Sequence, residues 1–323
     1  MNADLLLENL TNPALLFFLL GIVAVHLRSD LEIPKTSSKF ISLYLLFAIG
    51  FEGGQEMVHG EMDREMFLGM AFGISLAMVI PLLVFPIAKA KLGSENAGAI
   101  AAAYGSISAV TFVTATAFLE IQGESFHGHL VAVMALMEAP AIVVGVLLKE
   151  RFSDHRSSTS SPETKLGPVL HHALTNGSVV IIIGSLIIGM LASDAQAEGI
   201  KPFTTDIFKG FLAIFLLDMG IVSGRELKAF VKNGIFAPGL AIVLPFINGT
   251  AVSLLSALVT DAPGDRFLFA ILGASASYIA VPAAMRLAAP KANPGLYIPM
   301  ALAVTFPVNI TLGFPLYWSI VSG

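Results

Sequence analysis

The sequence predicts an all-α membrane protein: ten transmembrane helices arranged as a 5+5 inverted repeat, with two crossed discontinuous helices. Three observations support this fold class. The 323 residues are 55% hydrophobic and 13% charged, with a mean hydropathy of +0.81, which is too apolar for an ordinary soluble domain. Lysine and arginine are concentrated in alternate loops. Two related stretches with a Ser-x-Ser core interrupt apolar segments at corresponding places in the two halves of the chain.

The composition excludes several classes of chemistry. The chain has no cysteine, so disulfides, thiolate metal sites and cysteine nucleophiles are ruled out. Asp4 and Glu8 precede the first apolar segment, but no Lys or Arg does. A cleavable signal peptide normally begins with positive charge, so we do not expect one here.

Ten apolar segments are candidates for the transmembrane helices. A helix needs about 20 residues to cross about 30 Å of hydrocarbon, and most of the segments approach this length. They span residues 13–27, 39–57, 66–88, 95–120, 129–149, 177–193, 203–222, 234–259, 266–288 and 295–321.

The loops between these segments differ in positive charge. Of the 18 Lys and Arg residues, 14 lie in alternate loops on one predicted side. Because Lys and Arg favour cytoplasmic loops, we expect that side to be cytoplasmic and both termini to lie outside. The 14 residues are Arg28, Lys35, Lys39, Lys89, Lys91, Lys149, Arg151, Arg156, Lys165, Arg225, Lys228, Lys232, Arg286 and Lys291.

The two halves of the chain share a weak repeat. Three short motifs of the first half recur in the same order in the second half. Because each half has five spans, the second half must enter the membrane upside down, which is the inverted repeat of secondary transporters. The aligned pairs are 46–56 with 216–226, Ser106-Ile107-Ser108 with Ser275-Ala276-Ser277, and Glu138-Ala139-Pro140 with Thr305-Phe306-Pro307.

One long hydrophilic interruption separates the repeats and contains the Ser/Thr/Pro-rich run 157–162. Such a composition has too little apolar surface to fold alone. We therefore predict a first five-helix repeat at 1–150, a cytoplasmic linker at 151–175 and a second repeat at 176–323. His171 and His172 lie in this linker, but no nearby carboxylate or third histidine supports a metal site.

The paired Ser-x-Ser stretches predict a binding site. Small residues, hydroxyls and Pro282 weaken an apolar helix locally, which makes backbone groups available to a ligand. Helix N-termini and serine hydroxyls can hold a small oxyanion, and exposed carbonyls at helix C-termini can hold a cation. The alternative is that small residues simply permit close helix packing. The candidate anion-binding residues are Gly105, Ser106, Ser108, Ser275, Ala276 and Ser277.

Polar residues inside other spans suggest a cation site. Glu138 and Asp218 fall within the fifth and seventh spans, where a charge is costly and usually faces a cavity or a partner. Their alternative role is interhelical hydrogen bonding. Thr305 and Asn309 fall in the tenth span, at positions related to Glu138, and hard cations prefer such oxygen ligands. With Thr111 of the first Ser-x-Ser stretch, these residues form the candidate sodium set.

Three motifs resemble one known family across essentially the whole chain. They are Phe51-Glu52-Gly53-Gly54, the run from Gly105 to Phe112 (GSISAVTF), and the run from Ser275 to Pro282 (SASYIAVP). These residues resemble the cyanobacterial sodium-dependent bicarbonate transporter family (SbtA). One departure is the linker, which is short for the family.

The resemblance implies a sodium:bicarbonate symporter that imports bicarbonate for inorganic carbon accumulation. It implies a core domain that moves against a gate domain, a homotrimer in the plasma (inner) membrane, and inhibition by a cytosolic PII-like regulatory protein (SbtB). By similarity, bicarbonate binds between the crossed helices at the four serines or their backbone. Sodium is the coupling ion, and no other metal or cofactor is implied.

Two other functional classes are compatible with parts of the sequence. An intramembrane protease needs a membrane serine with a histidine, or paired aspartates. His127 and His129 instead fall in an outer loop, about one helix length from a midplane serine, so we do not expect an enzyme. A proton- or sodium-coupled antiporter on the same fold would favour adjacent midplane carboxylates, which are absent from the sequence pattern. A carrier of another small anion stays open, because hydroxyls and helix ends also suit other small anions.

Overall fold

The computed structural model describes residues 11–59, 64–152, 166–231 and 234–323, without the side chains of residues 228 and 229. No strand occurs in these ranges, which form helices joined by short connections. The helices are α1 Pro13–His26, α2 Lys35–His59, α3 Arg64–Gly105, α4 Ala109–Ile121, α5 His129–Arg151, α6 Leu166–Leu174, α7 Gly177–Leu191, α8 Asp194–Lys201, α9 Phe208–Val231, α10 Phe236–Leu255, α11 Pro263–Ala274, α12 Ala280–Ala288 and α13 Pro294–Val321.

Some helices contain tighter or wider turns. A π-helical turn, Pro202–Asp206, joins α8 to α9, and a 3-10 turn, Ser256–Leu258, ends α10. Helix α13 contains two π-helical stretches, Met300–Thr305 and Asn309–Gly313. Such stretches occur often at functional sites, and these two bring Thr305 and Asn309 towards the protein interior, where both are buried.

The length of the helices supports a membrane protein. Among the described residues, five stretches are long and apolar enough to span a membrane, and a sixth is formed if α6 and α7, bent by 51°, count together. Each of the ten apolar segments coincides with a helix or a pair of helices, but several of these, such as the 14-residue α1, are short. The ten-span count therefore stays a prediction. The five stretches are Arg64–Ile121, His129–Arg151, Asp194–Leu227, Phe236–Leu258 and Pro294–Val321.

Close helix pairs join the two halves of the chain. Helix α1 packs along α9 and α2 packs along α7. At the α1–α9 contact, a Cβ atom added to Gly220 would lie 2.0 Å from the carbonyl oxygen of Phe18. At the α2–α7 contact, a Cβ atom on Gly189 would lie 2.2 Å from the carbonyl oxygen of Phe51. Glycine is required at both contacts because the backbones touch there.

Both Ser-x-Ser stretches interrupt the helices. Helix α3 ends at Gly105 and α4 starts at Ala109, while α11 ends at Ala274 and α12 starts at Ala280. The Ser108 side chain caps α4 by accepting from the backbone N–H of Thr111 at 3.2 Å, which is the usual role of serine at this position. Pro282 lies in the first turn of α12, where proline is tolerated because no intrahelical donor is lost.

Part of the predicted linker is ordered as helix. Residues 153–165 lie outside the described residues, but α6 occupies positions 166–174 and packs against α5 and α12. Val169 and Ala173, four residues apart, are buried on the packed face of α6. The polar run 157–162, on which the linker prediction depends, thus lies outside the described residues, and the end of the predicted linker is a packed helix.

Candidate functional site

The two interrupted helices meet at the centre of the molecule, and we call the meeting of residues 106–108 with residues 275–279 the crossing. The backbone N–H of Ser108 donates to Ser275 Oγ at 3.1 Å, and the backbone N–H of Ser277 donates to the carbonyl oxygen of Ala103 at 2.8 Å. All four serines of the two motifs are buried. Residues separated by about 170 positions are thereby held in direct contact.

Four helix ends converge at the crossing. Helices α3 and α11 end there, and α4 and α12 begin there. The first backbone N–H groups of a helix lack intrahelical partners and carry partial positive charge, so two helix N-termini can stabilise an anion together. The carbonyl groups at the ends of α3 and α11 supply partial negative charge at the same place. The crossing therefore has the elements that an anion and a cation each require.

Two hydroxyl groups near the crossing have no hydrogen-bond partner among the described residues. They are Ser106 Oγ and Thr111 Oγ1, and both residues are at least 99% buried. A buried polar group without a partner costs about 1–3 kcal/mol, so such groups are rare unless a ligand or water completes them. These two oxygens are the strongest local indication of a ligand.

Gly105 and Ala276 shape the crossing without offering a side-chain ligand. A Cβ atom on Gly105 would lie 2.2 Å from Cγ of Pro81, so α3 can approach its own earlier turns only because residue 105 is glycine. Ala276 is buried between the two serines of the second motif. Both residues can contribute only backbone groups to a ligand.

Glu138 lies beside the crossing. It lines a small cavity of about 10 Å³ together with Ser108, Ser277, Tyr278 and Ser178. A volume of this size holds about one water molecule. We call it the small cavity. The small cavity thus brings one carboxylate of the predicted cation set together with Ser108 and Ser277 of the predicted anion set.

A larger cavity of about 600 Å³ lies next to the crossing, and we call it the vestibule. Its wall carries Lys35, Lys39 and Arg225, three of the residues that mark the predicted cytoplasmic side. Asp218 also lines the vestibule, whereas Glu138 lines the small cavity. With the carboxylates Glu32 and Asp218 in the same wall, the three basic residues leave a small excess of positive charge around the cavity.

Thr305 and Asn309 of α13 contact residues that adjoin the crossing, and both are already hydrogen bonded. Thr305 Oγ1 donates to the carbonyl oxygen of Ala241 at 2.8 Å and pairs with the Tyr104 hydroxyl at 2.6 Å. Asn309 Nδ2 donates to the carbonyl oxygen of Ala274, the last residue of α11, at 2.9 Å. In this structure both side chains brace helix ends at the crossing.

An exposed ion pair and a further cavity lie between α4 and α9. Lys209 Nζ and Glu120 Oε1 form an ion pair at 2.6 Å that joins α9 to α4. The cavity bordered by Thr114 and Leu216, on the same two helices, measures only about 20 Å³. The vestibule, whose wall carries Lys35, Lys39 and Arg225, is much the larger of these two cavities.

The structure also adds residues that the sequence patterns did not single out. Tyr278 and Ser178 line both the small cavity and the vestibule. Tyr278 directly follows the second serine motif, so its neighbourhood could have been inferred from the sequence. Ser178 lies in the first turn of α7, far from either motif in sequence, and no sequence signal identifies it.

Among the described residues, no group of three His, Cys, Asp or Glu side chains is arranged to hold a metal ion. His172 instead lines the vestibule, and His127 Nδ1 lies 2.7 Å from Oδ2 of the buried Asp265. These histidines have packing or ion-pair environments of their own, and neither adjoins the four serines.

Comparison with known proteins assigns the chain to a family. The search of curated proteins finds no match. A family model described as the Na+-dependent bicarbonate transporter superfamily matches residues 13–322. Since the match covers both interrupted helices and nearly the whole chain, this membrane protein belongs to the Na+-dependent bicarbonate transporter superfamily.

Proposed function

We propose that this protein is a secondary active symporter that uses a sodium gradient to carry bicarbonate into the cell for inorganic carbon accumulation. The observation that carries the proposal is the crossing, where two helix N-termini and two buried hydroxyls without partners meet. Helix N-termini and hydroxyl groups suit a small oxyanion. The family membership selects bicarbonate among such anions.

The proposed anion site consists of the residues of the two motifs. Ser106 Oγ supplies a hydroxyl that has no described partner, while Ser108, Ser275 and Ser277 supply hydroxyls. The backbone N–H groups of these three serines already donate to Ser275 Oγ and to the carbonyl oxygens of Ile271 and Ala103, respectively. Gly105 and Ala276 contribute their backbone. The small cavity holds about one water molecule, so a four-heavy-atom anion requires the wall of the cavity to move.

The proposed sodium site draws on oxygen ligands beside the anion site. Thr111 and Glu138 are its principal candidates, because Thr111 Oγ1 has no described partner and Glu138 lines the small cavity. Thr305 and Asn309 complete the proposed set, but their present hydrogen bonds make them weaker candidates. Asp218, in the vestibule, is proposed as a ligand only along the path. A cation beside an anion stabilises both, which couples the occupancy of the two sites.

The proposed architecture is ten spans in a 5+5 inverted repeat, with a core domain that contains the crossing and a gate domain that it moves against. The helix pairs α1–α9 and α2–α7 support it. If α1 corresponds to α7 and α2 to α9 in the repeat, the α1–α9 pair of helices corresponds to the α7–α2 pair. We further propose a homotrimer in the plasma (inner) membrane with both termini outside, as the resemblance and the distribution of basic residues suggest.

We also propose a cytosolic PII-like regulatory protein (SbtB) as a partner on the face that carries 14 of the 18 basic residues. Only that face is reachable from the cytosol in the proposed orientation. Nucleotide-sensitive binding should therefore occur with inverted vesicles and fail with right-side-out vesicles. Binding to right-side-out vesicles alone would contradict the orientation.

A proton- or sodium-coupled antiporter, or a carrier of another small anion, is the second candidate. An antiporter would exchange protons for a cation at midplane carboxylates, and Glu138 lines the small cavity. Asp218 lines the vestibule instead, so the two carboxylates are not found in the wall of one cavity. We propose a carrier rather than an enzyme, because His127 is paired with Asp265 and not with a serine of the crossing.

The test is uptake of labelled bicarbonate into proteoliposomes with an inward sodium gradient. Replacing sodium by potassium should abolish most uptake, because the proposed anion site depends on an occupied cation site. Competition by other small carboxylates and inorganic anions tests the substrate. Unchanged uptake in potassium would refute the coupling, and stronger transport of another anion would favour the second candidate.

A further inference from the structure

One side chain, Tyr278, stands between the vestibule and the crossing. Tyr278, Ile279 and Ser178 are the residues that line both the vestibule and the small cavity. Tyrosine is the largest of the three side chains, and its ring has a rigid shape with few rotatable bonds. The phenol ring is therefore the largest side chain shared by the walls of the two cavities.

The position of Tyr278 links the crossing to the opposite wall of the vestibule. Its backbone follows Ser277 within the non-helical segment between α11 and α12. Its hydroxyl donates to Met219 Sδ of α9 at 3.8 Å, and its side chain lies within interaction range of Ser108. The Tyr278 side chain thus connects the serine motifs to Met219 of α9.

The Tyr278 hydroxyl is held by a hydrogen-bond contact with Ser108 and by a weaker one with Met219. Thioether sulfur is a poor hydrogen-bond acceptor, so the contact with Met219 contributes little. The backbone around Tyr278 is not held in a helical hydrogen-bond ladder. Both features favour rotation of the side chain without disruption of the neighbouring helices.

The sizes of the two cavities indicate what the movement would do. The small cavity measures about 10 Å³ and the vestibule about 600 Å³. We propose that Tyr278 is the barrier residue between the crossing and the vestibule, and that its ring must swing aside for a compact anion to pass between them. This proposal rests on the proposed function in taking the crossing as the transport site, but its test does not require transport.

The natural absence of cysteine allows a direct test by cysteine accessibility. Ala109→Cys places a thiol in the wall of the small cavity, behind Tyr278. Ser42→Cys places a thiol in the wall of the vestibule, in front of it. Each variant is purified, reconstituted in nanodiscs so that both faces are exposed, and treated with 2-sulfonatoethyl methanethiosulfonate, a small charged thiol reagent.

With Tyr278 in place, we expect the cysteine at position 42 to react quickly and the cysteine at position 109 to react slowly. Tyr278→Ala should raise the rate at position 109 by roughly tenfold or more and leave the rate at position 42 unchanged. Tyr278→Phe retains the ring, so its rate at position 109 should stay within about twofold of the parent. If the alanine variant does not fold, Tyr278→Leu, which lacks the reach of the ring, provides the same comparison.

A general loosening of the protein is monitored with Ala270→Cys, because Ala270 is fully buried in α11 and lines neither cavity. This thiol should stay unreactive in the Tyr278→Ala background. Equal reactivity at positions 109 and 42 with Tyr278 present would overturn the proposal, as would an unchanged rate at position 109 after its removal. If the labelling results are as expected but the parent protein shows no sodium-dependent uptake, the proposed function is refuted and the proposal about Tyr278 still holds.

Discussion

Replacing Ser106 by alanine separates a ligand-binding role of the crossing from a purely structural one. Ser106 is fully buried, and its Oγ has no hydrogen-bond partner among the described residues. Alanine preserves close helix packing and removes a single oxygen. Since no described protein group depends on that oxygen, its loss should be felt mainly by a bound ligand.

The expected effects on stability and on binding have opposite signs. A buried hydroxyl without a partner costs about 1–3 kcal/mol, so Ser106→Ala should leave the free energy of unfolding unchanged or raise it by up to that amount. A hydrogen bond to a charged ligand contributes about 1.5–3 kcal/mol. Because each 1.4 kcal/mol corresponds to a factor of ten, the affinity for bicarbonate should fall roughly 10- to 100-fold.

The assay combines two measurements on the same purified protein. Thermal unfolding in detergent reports stability, and the KM for bicarbonate uptake at saturating sodium in proteoliposomes reports the site. Ser253→Ala is a matched control, because Ser253 is equally buried in α10 and its Oγ donates to the carbonyl oxygen of Gly249 at 2.7 Å. This control should lose about 0.5–1.5 kcal/mol of stability and retain the parent KM.

Two results would refute the reasoning about Ser106. A KM within about twofold of the parent, which corresponds to less than about 0.5 kcal/mol, would show that the hydroxyl does not contact the anion. A loss of stability as large as that of Ser253→Ala would show that the hydroxyl makes a structural hydrogen bond. Either result would return the first motif to a packing role.

Three further predictions test the site and its scaffold. Ser108→Ala and Ser277→Ala should each weaken bicarbonate uptake, and the double variant should be little worse than the poorer single one, because both act on one ligand; fully additive losses would indicate separate sites. Glu138→Ala should impair the sodium dependence of uptake more than protein abundance, whereas equal loss of both would indicate a structural role. Gly220→Ala should destabilise the protein by about 1–3 kcal/mol through overpacking against α1. Gly210→Ala in the same helix is the control and should not destabilise it, because nothing lies within 4 Å of the added Cβ atom. Equal thermal stability of the two variants would contradict the close α1–α9 contact.

The sequence predicted the local features of this protein well. The apolar segments coincide with helices because the hydrocarbon core of a membrane demands continuous apolar residues and internally satisfied backbone groups. The interruptions at Ser106–Ser108 and Ser275–Ser277 were predictable from small residues and hydroxyls, with Pro282 close behind. Ser108 then caps α4 through Thr111, which is a short-range interaction that sequence spacing determines.

Features that depend on distant parts of the chain were harder to predict. Thr305 and Asn309 are suitable oxygen ligands by type, yet their contacts with Tyr104 and Ala274 engage them in bracing helix ends. Asp218 and Glu138 are both buried carboxylates by sequence, but they line different cavities. Residue type indicates what a side chain can bind, whereas tertiary packing determines which residues and cavities it contacts.

The sequence by itself determined the membrane environment, the helical class, the two helix breaks and the candidate serines, because hydropathy and backbone preference act over neighbouring residues. Only the tertiary structure decided that the two breaks meet, with Ser108 donating to Ser275 across the halves. It also decided that Lys209 of α9 pairs with Glu120 of α4, and that Tyr278 and Ser178 line both the vestibule and the small cavity. These are contacts between residues far apart in the chain, and they arise because close glycine-mediated helix packing leaves few arrangements of the interior.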